Sequence, residues 1–288
     1  MSEEGEKLTE RAETVIGGER TNLGMTSTSD PREPQDQDDA VRASFRQQTD
    51  LFEGDDSVFA IAATRPAPTA WLDPLTPDMV VLDVACGAAH AAELAAPHVH
   101  QVVGVDLTPE LLAIGSARLR DAGIANVLLQ EGNAAALPFV DASFDLVMCR
   151  TAVHHMGDPI ASIAEMARVC KPGGRVVVSD LVAPDPDVRD AFDDFQRILD
   201  PSHARTFVVD ELVDEIGTAV GSVDTVDAPG PFPIPVHTIF SDVSDRDRVV
   251  AVLEAELAGG PVTGMAPVRD GDAILVEFQS ATVRATRS

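Results

Sequence analysis

The residues best suited to chemistry are small, acidic or amide side chains spaced along the middle of the chain. They are the small-residue turn at 85–89 (ACGAA), Asp106, Gly132 with Asn133, the segment 150–158 (RTAVHHMGD) and Asp180. A turn with little side-chain bulk lets another molecule approach the backbone closely. An acid about 20 residues after such a turn suits two acceptor bonds to a ribose diol. Asn133, inside GNAAALPF, offers a side-chain oxygen to an exocyclic amine. Asp83 stands within the apolar run VVLDV, where a carboxylate is expensive without partners. A dinucleotide would need G-x-G-x-x-G, but Gly87 is followed by Ala89 and Ala92, and no GK[ST] phosphate loop exists. The ligand implied is adenosine-like and lacks a diphosphate.

These residues need a scaffold that brings them to one edge, and the hydrophobic pattern predicts one. Strands are expected at 80–84, 101–106, 126–130, 144–149 and 175–181, and helices at 89–97, 109–122 and 159–169. Thr108 is the expected N-cap of the second helix, with Pro109 at its first position and Gly123 after its end. The first helix would present free N–H groups and its positive dipole end to the turn. KPGG at 171–174 reads as a stop and turn. Regular alternation means an α/β fold: a Rossmann-like, seven-stranded, mainly parallel sheet with helices on both faces. In such sheets the ligand lies beyond the carboxyl ends of the strands.

After Leu181 the rhythm changes to helices at 190–199, 210–220 and 246–257, then two closing strands at 273–278 and 281–285. These strands are placed at the sheet edge, at least one of them antiparallel. Residues 1–39 are polar and acidic and are expected to be a disordered arm. Residues 40–288 form the domain, with a helical lead-in at 40–78 and substrate-side helices at 183–221. Trp71 and the set Phe45, Phe52 and Phe59 are read as packing residues. They reach an acceptor pocket only if the N-terminal helix closes over the cleft.

With 48 Asp plus Glu against 21 Lys plus Arg, the formal charge is −27. That argues against nonspecific nucleic-acid binding and against docking on anionic lipid. Lys7 and Lys171 are the only lysines, which fits either adaptation to high salt or a GC-rich genome. Cys86, Cys149 and Cys170 lack CxxC spacing, so neither a disulfide framework nor a metal site is expected. A reducing cytoplasm is the simple reading. No signal peptide and no apolar run of 18 residues is visible.

Taken in order, LDVACG, VVGVDLTPELL, EGNAAALPFVDASFDLVMCRTAVHHMGDP and EMARVCKPGGRVVVSD resemble the class I S-adenosylmethionine-dependent methyltransferases. The closest likeness is to the ubiquinone/menaquinone-biosynthesis C-methyltransferase group, over roughly residues 40–288. The resemblance implies S-adenosylmethionine as cofactor. Asp83 with Ala85, Cys86 and Gly87 would face its methionine portion. Asp106 would hold the ribose hydroxyls, Leu107 would lie on the adenine, and Asn133 and Ala134 would meet the adenine edge. Arg150 would border both cofactor and substrate. Two positions depart from the family pattern: Ala89 stands where a second glycine is usual, and Asn133 where an aspartate is usual.

The implied activity is methyl transfer to a small-molecule acceptor, quinone-like or aromatic. In-line approach in a desolvated pocket supplies most of the rate. A base is needed only where the acceptor has a proton to lose, and His154 and His155 are the candidates, with His203 third. Each histidine can equally cap a loop, and Asp180 can be an N-cap or a loop anchor. DPSHAR (200–205) and ELAGGPVTG (256–264) also look like features of a subgroup, with no substrate assigned to them. One alternative is a protein that binds S-adenosylmethionine without transferring methyl groups. The other, a nicotinamide oxidoreductase, is disfavoured by the missing glycines.

Overall fold

The protein is described from a computed structural model over residues 32–49 and 69–288. Residues 1–31 of the arm expected at 1–39, and residues 50–68 of the helical lead-in with Phe52 and Phe59, lie outside the described residues. The main sheet contains β1 (Val80–Val84), β2 (Gln101–Asp106), β3 (Val127–Glu131), β4 (Phe144–Arg150) and β5 (Cys170–Leu181). β6 (Gly221–Asp227) and β10 (Ser280–Arg287) complete it in the order β3-β2-β1-β4-β5-β10-β6. β1 through β5 run parallel, and β10 is antiparallel to both its neighbours.

Alternating residues of the central strands feed two cores. Leu82, Val84, Val147, Cys149, Val176 and Val178 face α4 (Pro159–Val169) and α6 (Val209–Val220), through Ile163, Met166, Leu212 and Ile216. Val81, Val102, Leu146, Met148 and Val177 face the other side, under α2 (His90–Ala95) and Leu119 of α3 (Pro109–Asp121). Burial on both faces is why these strands read as near-continuous apolar runs. Strand order reverses between β1 and β4, each paired to the other and then to neighbours on opposite sides. The carboxyl ends of β1, β2 and β4 therefore open on one crevice.

Several expectations are corrected. The closing strands do not lie together at the edge: β10 sits between β5 and β6, and β9 (Ala273–Phe278) belongs to a separate sheet. That sheet has the order β7-β9-β8, with β7 (Phe232–Pro235) and β8 (Val268–Asp270) antiparallel to β9. It packs with α5 (Arg189–Leu199) and α7 (Arg246–Leu257) around Phe192, Phe195, Leu253 and Val276. KPGG falls inside the span of β5 and still makes the expected turn: the pairing with β4 skips 171–174, Gly173 has φ of 76°, and Lys171 Nζ lies 2.7 Å from Asp145 Oδ1. Thr108 makes no side-chain cap; its backbone N–H donates instead to Asp106 Oδ1 at 2.8 Å.

The first helix, α1 (Pro34–Gln47), begins at Pro34, so the boundary expected at 39/40 falls inside it. Pro34 supplies a preset φ at the first helical position, and Asp36 sits in the first turn. α1 is held by polar bonds. Gln37 Nε2 donates to the carbonyls of His155 (2.9 Å) and Ser202 (2.5 Å). Ser44 Oγ and Gln48 Nε2 donate to Asp200 at 2.8 and 3.0 Å. Gln37, Ser44 and Gln48 are buried, which inverts the usual apolar stripe of a packed helix and explains why hydrophobic periodicity underreads its start.

The turn after β1 carries backbone strain. Ala85, Gly87 and Ala89 have φ of 54°, 52° and 63°. An L-residue there costs roughly 1–2 kcal/mol. The Ala89 methyl does not enter the crevice; it is fully buried against Ala92, Val102 and their neighbours. Room for it comes from Gly115 of α3, where an added Cβ would lie 3.1 Å from Ala89 Cβ and 3.0 Å from the Ala88 carbonyl carbon. Gly115→Ala is therefore expected to destabilise the chain by about 1–3 kcal/mol. Ala89→Gly in the same chain should recover part of that loss, since the Ala88 backbone contact persists. Denaturant unfolding of the two single variants and the double variant checks the coupling, and strict additivity would contradict it.

Candidate functional site

The crevice is a cavity of about 310 Å³. Its wall brings together Asp83, Ala85, Cys86, Gly87, Asp106, Leu107, Asn133, Ala134, Arg150 and His155. Every cofactor-side residue expected from the sequence is thus on one surface. Of the base candidates, His155 borders it, while His154 and His203 do not.

Asp106 ties the site together at the end of β2. Its Oδ2 accepts from Gly87 N–H and its Oδ1 from Thr108 N–H, each at 2.8 Å. Cys86 N–H adds a 3.0 Å bond to the Val105 carbonyl, so two neighbouring bonds clamp the strained turn onto β2. Burial raises the pKa of Asp106 against these donors. Each oxygen holds one donor and keeps room for another. A helix N-terminus contributes less than expected, because α2 runs for only six residues.

Asp83 is 1% exposed, and its Oδ2 has no hydrogen-bond partner among the described residues. Burial pushes its pKa up to about 7, with Arg150 opposing and Asp106 adding to the rise. A buried, unpartnered carboxylate oxygen beside a cavity fits a cationic ligand group. His90 is driven down to about 4 by burial and by Arg118 and Arg150, so it is neutral at pH 7. Burial holds the Cys86 and Cys149 thiols well above their ordinary range, which makes both poor nucleophiles.

Asn133 is engaged differently from the expectation. Its Oδ1 accepts from Ala135 N–H at 2.8 Å, and its Nδ2 donates to Asp38 Oδ2 at 2.6 Å. Asp38, from α1, lines the cavity and brings a carboxylate beside the amide. Burial raises its pKa, while Arg42 and Asn133 pull the other way. Sequence reading missed Asp38 because it fell within the polar stretch DPREPQDQDD. The remaining roof is also α1: Pro34, Val41, Phe45 and Gln48 line the cavity. The wall expected from helices at 190–220 is absent, since no residue of α5 or α6 lines this cavity. Trp71 packs beneath, with the Arg150 guanidinium 5.9 Å from its ring centroid.

Asp180 is a loop anchor. It accepts from Val153 N–H at 2.5 Å, from Ala152 and His154 N–H at 3.3 Å, and lies 2.5 Å from His154 Nδ1. Burial opposes a charge on His154, but Asp180 outweighs it and the His154 pKa is raised. His203 Nε2 sits 2.8 Å from Asp193 Oδ1, with its pKa lowered chiefly by burial. Among the described residues no cluster of His, Cys, Asp and Glu has the geometry of a metal site.

Residues 82–178 match the family described as a methyltransferase domain. Residues 82–178 thus carry the pattern of that domain, from β1 to β5. Over 126 residues it is 42% identical to the uncharacterized methyltransferase YcgJ of Bacillus subtilis, a match to 43% of this chain and 50% of YcgJ. Over 132 residues it is 36% identical to the demethylmenaquinone methyltransferase of Listeria welshimeri, covering 44% of this chain and 56% of that protein. The chain thus spans about half the length of the curated relatives it matches. In structure, YcgJ aligns with a TM-score of 0.67 at 26% identity, covering 75% of this chain and 94% of that one. A methyltransferase-like protein from Bacillus halodurans aligns at 0.69 and 25% identity, covering 81% and 99%. The methyltransferase domain accounts for the turn, Asp106, Asn133 and Arg150, but α1 and its Asp38 lie outside the matched residues. Among the described residues no helix is long and apolar enough to cross a membrane.

Proposed function

We propose that the chain transfers a methyl group from S-adenosylmethionine to a small-molecule acceptor held beneath α1. The observation that carries this reading is the convergence of Asp83, the 85–88 turn and Asp106 on one cavity roofed by apolar side chains. Asp106 would take the ribose hydroxyls on the free acceptor positions of its two oxygens. Asp83 would take the ammonium of the methionine portion, and Leu107 and Leu111 would flank the adenine. Asn133 and Asp38 together would meet the adenine edge, the carboxylate standing in for the aspartate usual in the family. When bound, the cofactor supplies an activated sulfonium methyl group.

Val41, Phe45 and Met156 give the acceptor side an apolar lining suited to a flat, aromatic or quinone-like molecule. The match to demethylmenaquinone methyltransferases supports the same class. His155 is the base where the acceptor has a proton to lose. The reading includes a reducing, cytoplasmic setting, supported by three buried free cysteines. The direct test is methyl transfer to a panel of quinones, phenols and amines, read by mass. A gain of one methyl group on a phenol or quinone is expected; cofactor binding with no transfer across the panel would favour a binding role.

Binding should also move a proton. Asp83 is about three-quarters protonated at pH 6.5 if its pKa is about 7. A cation beside it favours the charged form and expels that proton. At pH 6.5 the calorimetric enthalpy should therefore vary with buffer ionisation enthalpy, consistent with release of roughly 0.7 proton. Identical enthalpies in phosphate and imidazole-type buffers would remove this role for Asp83.

A further inference from the structure

The DPSHAR segment, left without a role by the cofactor site, lies against His155, the base candidate that borders the cavity. His155 Nδ1 is 3.2 Å from the Ser202 carbonyl and 3.0 Å from Ser202 Oγ. The carbonyl can only accept. Ser202 Oγ gives its own hydrogen to Asp200 Oδ1 at 2.6 Å, so toward His155 it too can only accept. Nδ1 must therefore carry a hydrogen, and the ring's other nitrogen, Nε2, is left with a bare lone pair. No described residue hydrogen-bonds Nε2.

Asp200 is fixed as firmly as the ring it supports. It accepts from Ser202 N–H at 2.8 Å, Ser202 Oγ at 2.6 Å, Ser44 Oγ at 2.8 Å and Gln48 Nε2 at 3.0 Å. Burial works against its charge, but these donors outweigh it and hold its pKa down. Two of the four donors come from α1 and its C-cap residue Gln48, so the carboxylate is complete only with α1 seated. On the other side His154, paired with Asp180, lies 4.1 Å from the His155 ring centroid to centroid. Phe45 packs edge-on against His155 at 5.0 Å. Burial and the neighbouring His154 hold His155 neutral, with its pKa near 3.

We propose that Asp200 and Ser202 are positioning residues that lock His155 in the Nδ1–H tautomer, leaving Nε2 as proton acceptor for a hydroxyl-bearing acceptor molecule. This rests on the methyl-transfer reading and names its substrate class: an acceptor with an O–H to lose on an apolar frame. As the acceptor oxygen's electron pair forms its bond to the methyl carbon, the hydroxyl proton passes to Nε2. The electron pair of the breaking carbon–sulfur bond stays on the sulfur of the sulfonium donor. Asp200, through Ser202, then stabilises the imidazolium until water takes the proton.

The experiment is nitrogen-15 NMR of the histidine rings in the full chain near pH 7, without acceptor, with His155 signals assigned by comparison with His155→Gln. The wild type is expected to show a pyrrole-like Nδ1 and a pyridine-like Nε2. Ser202→Ala should shift the population toward the Nε2–H form that free histidine prefers, and Ser202→Thr should restore the wild-type pattern. On an acceptor found in the panel, Ser202→Ala should lower kcat about 100-fold with KM little changed. A wild-type ring with hydrogen on Nε2 overturns the proposal by itself, even if Ser202→Ala does not fold. A Ser202→Ala spectrum unchanged from wild type overturns the positioning role of the Ser202 hydroxyl and Asp200, since the Ser202 carbonyl alone would then hold Nδ1–H. Because the spectrum needs neither cofactor nor acceptor, failure of the methyl-transfer reading would show separately, as absent binding or transfer.

Discussion

Asp106→Ala is expected to weaken S-adenosylmethionine binding by at least about 100-fold, close to 3 kcal/mol. The effect has two sources. The carboxylate is the acceptor for the ribose diol, and hydrogen bonds to a charged acceptor are worth roughly 1.5–3 kcal/mol each. It also holds Gly87 N–H and Thr108 N–H, the ends of the two segments that flank the cofactor. Without it the 85–89 turn, with two alanines at positive φ, loses the bond that holds its centre to β2. Asp106→Asn separates the two contributions. It keeps one acceptor oxygen but turns an NH₂ group toward one of the backbone N–H groups. It should therefore bind more weakly than wild type while staying folded. Calorimetry with S-adenosylhomocysteine, alongside circular dichroism, checks both, and wild-type affinity in Asp106→Ala would contradict this account of the site.

Asp180→Ala should cost about 3–5 kcal/mol of stability, because it strands a buried histidine and several buried N–H groups at once. The carboxylate is 3% exposed and accepts from Val153, Ala152, His154 and Leu181 N–H as well as pairing with His154 Nδ1. A melting temperature lower by roughly 10 °C is the expected size for a chain of this length. The loss should depend on pH. Burial opposes the Asp180 charge, but His154 and the hydrogen bonds lower its pKa, so its contribution is present above about 3.8 and fades as pH falls through the depressed value. The His154 pKa is raised, so its contribution is present below about 6.5 and fades as pH rises through the raised value. The gap between wild type and variant should be widest between about pH 4 and 6.5 and narrower at pH 9. A gap that widens steadily to alkaline pH would argue against the charged pair.

Much of this was legible in the sequence because β1, β2, β4 and β5 are buried on both faces and so carry unbroken β-branched runs. The same pattern placed Asp106 and Asp83 at the ends and interiors of strands, where their cost demanded a reason. What escaped notice had weaker signals. β6 is mostly exposed and reads GSVDTVD, with little apolar content to mark it. β8 has three residues, all exposed. Swapping the roles of the last two strands depends on tertiary pairing, which no local pattern carries.

The start and the polar anchoring of the N-terminal roof were the largest omission, whereas its closure over the cleft through Phe45 was weighed. α1 buries Gln37 and Ser44 and bonds through Arg32, Gln37, Ser44 and Gln48 to segments more than 100 residues away. Helix periodicity counts apolar residues, and here the buried face is polar. Ala89 was the opposite case. Its identity was read correctly as a departure, but only packing shows that its methyl group meets Gly115 and stays out of the cavity.

Binding of S-adenosylmethionine and S-adenosylhomocysteine to the full chain, by titration calorimetry, tests the central claim most directly. Saturable binding of both with one-to-one stoichiometry, lost in Asp106→Ala, is the predicted result. Absence of binding by either ligand to folded wild-type protein would contradict the assignment of this cavity.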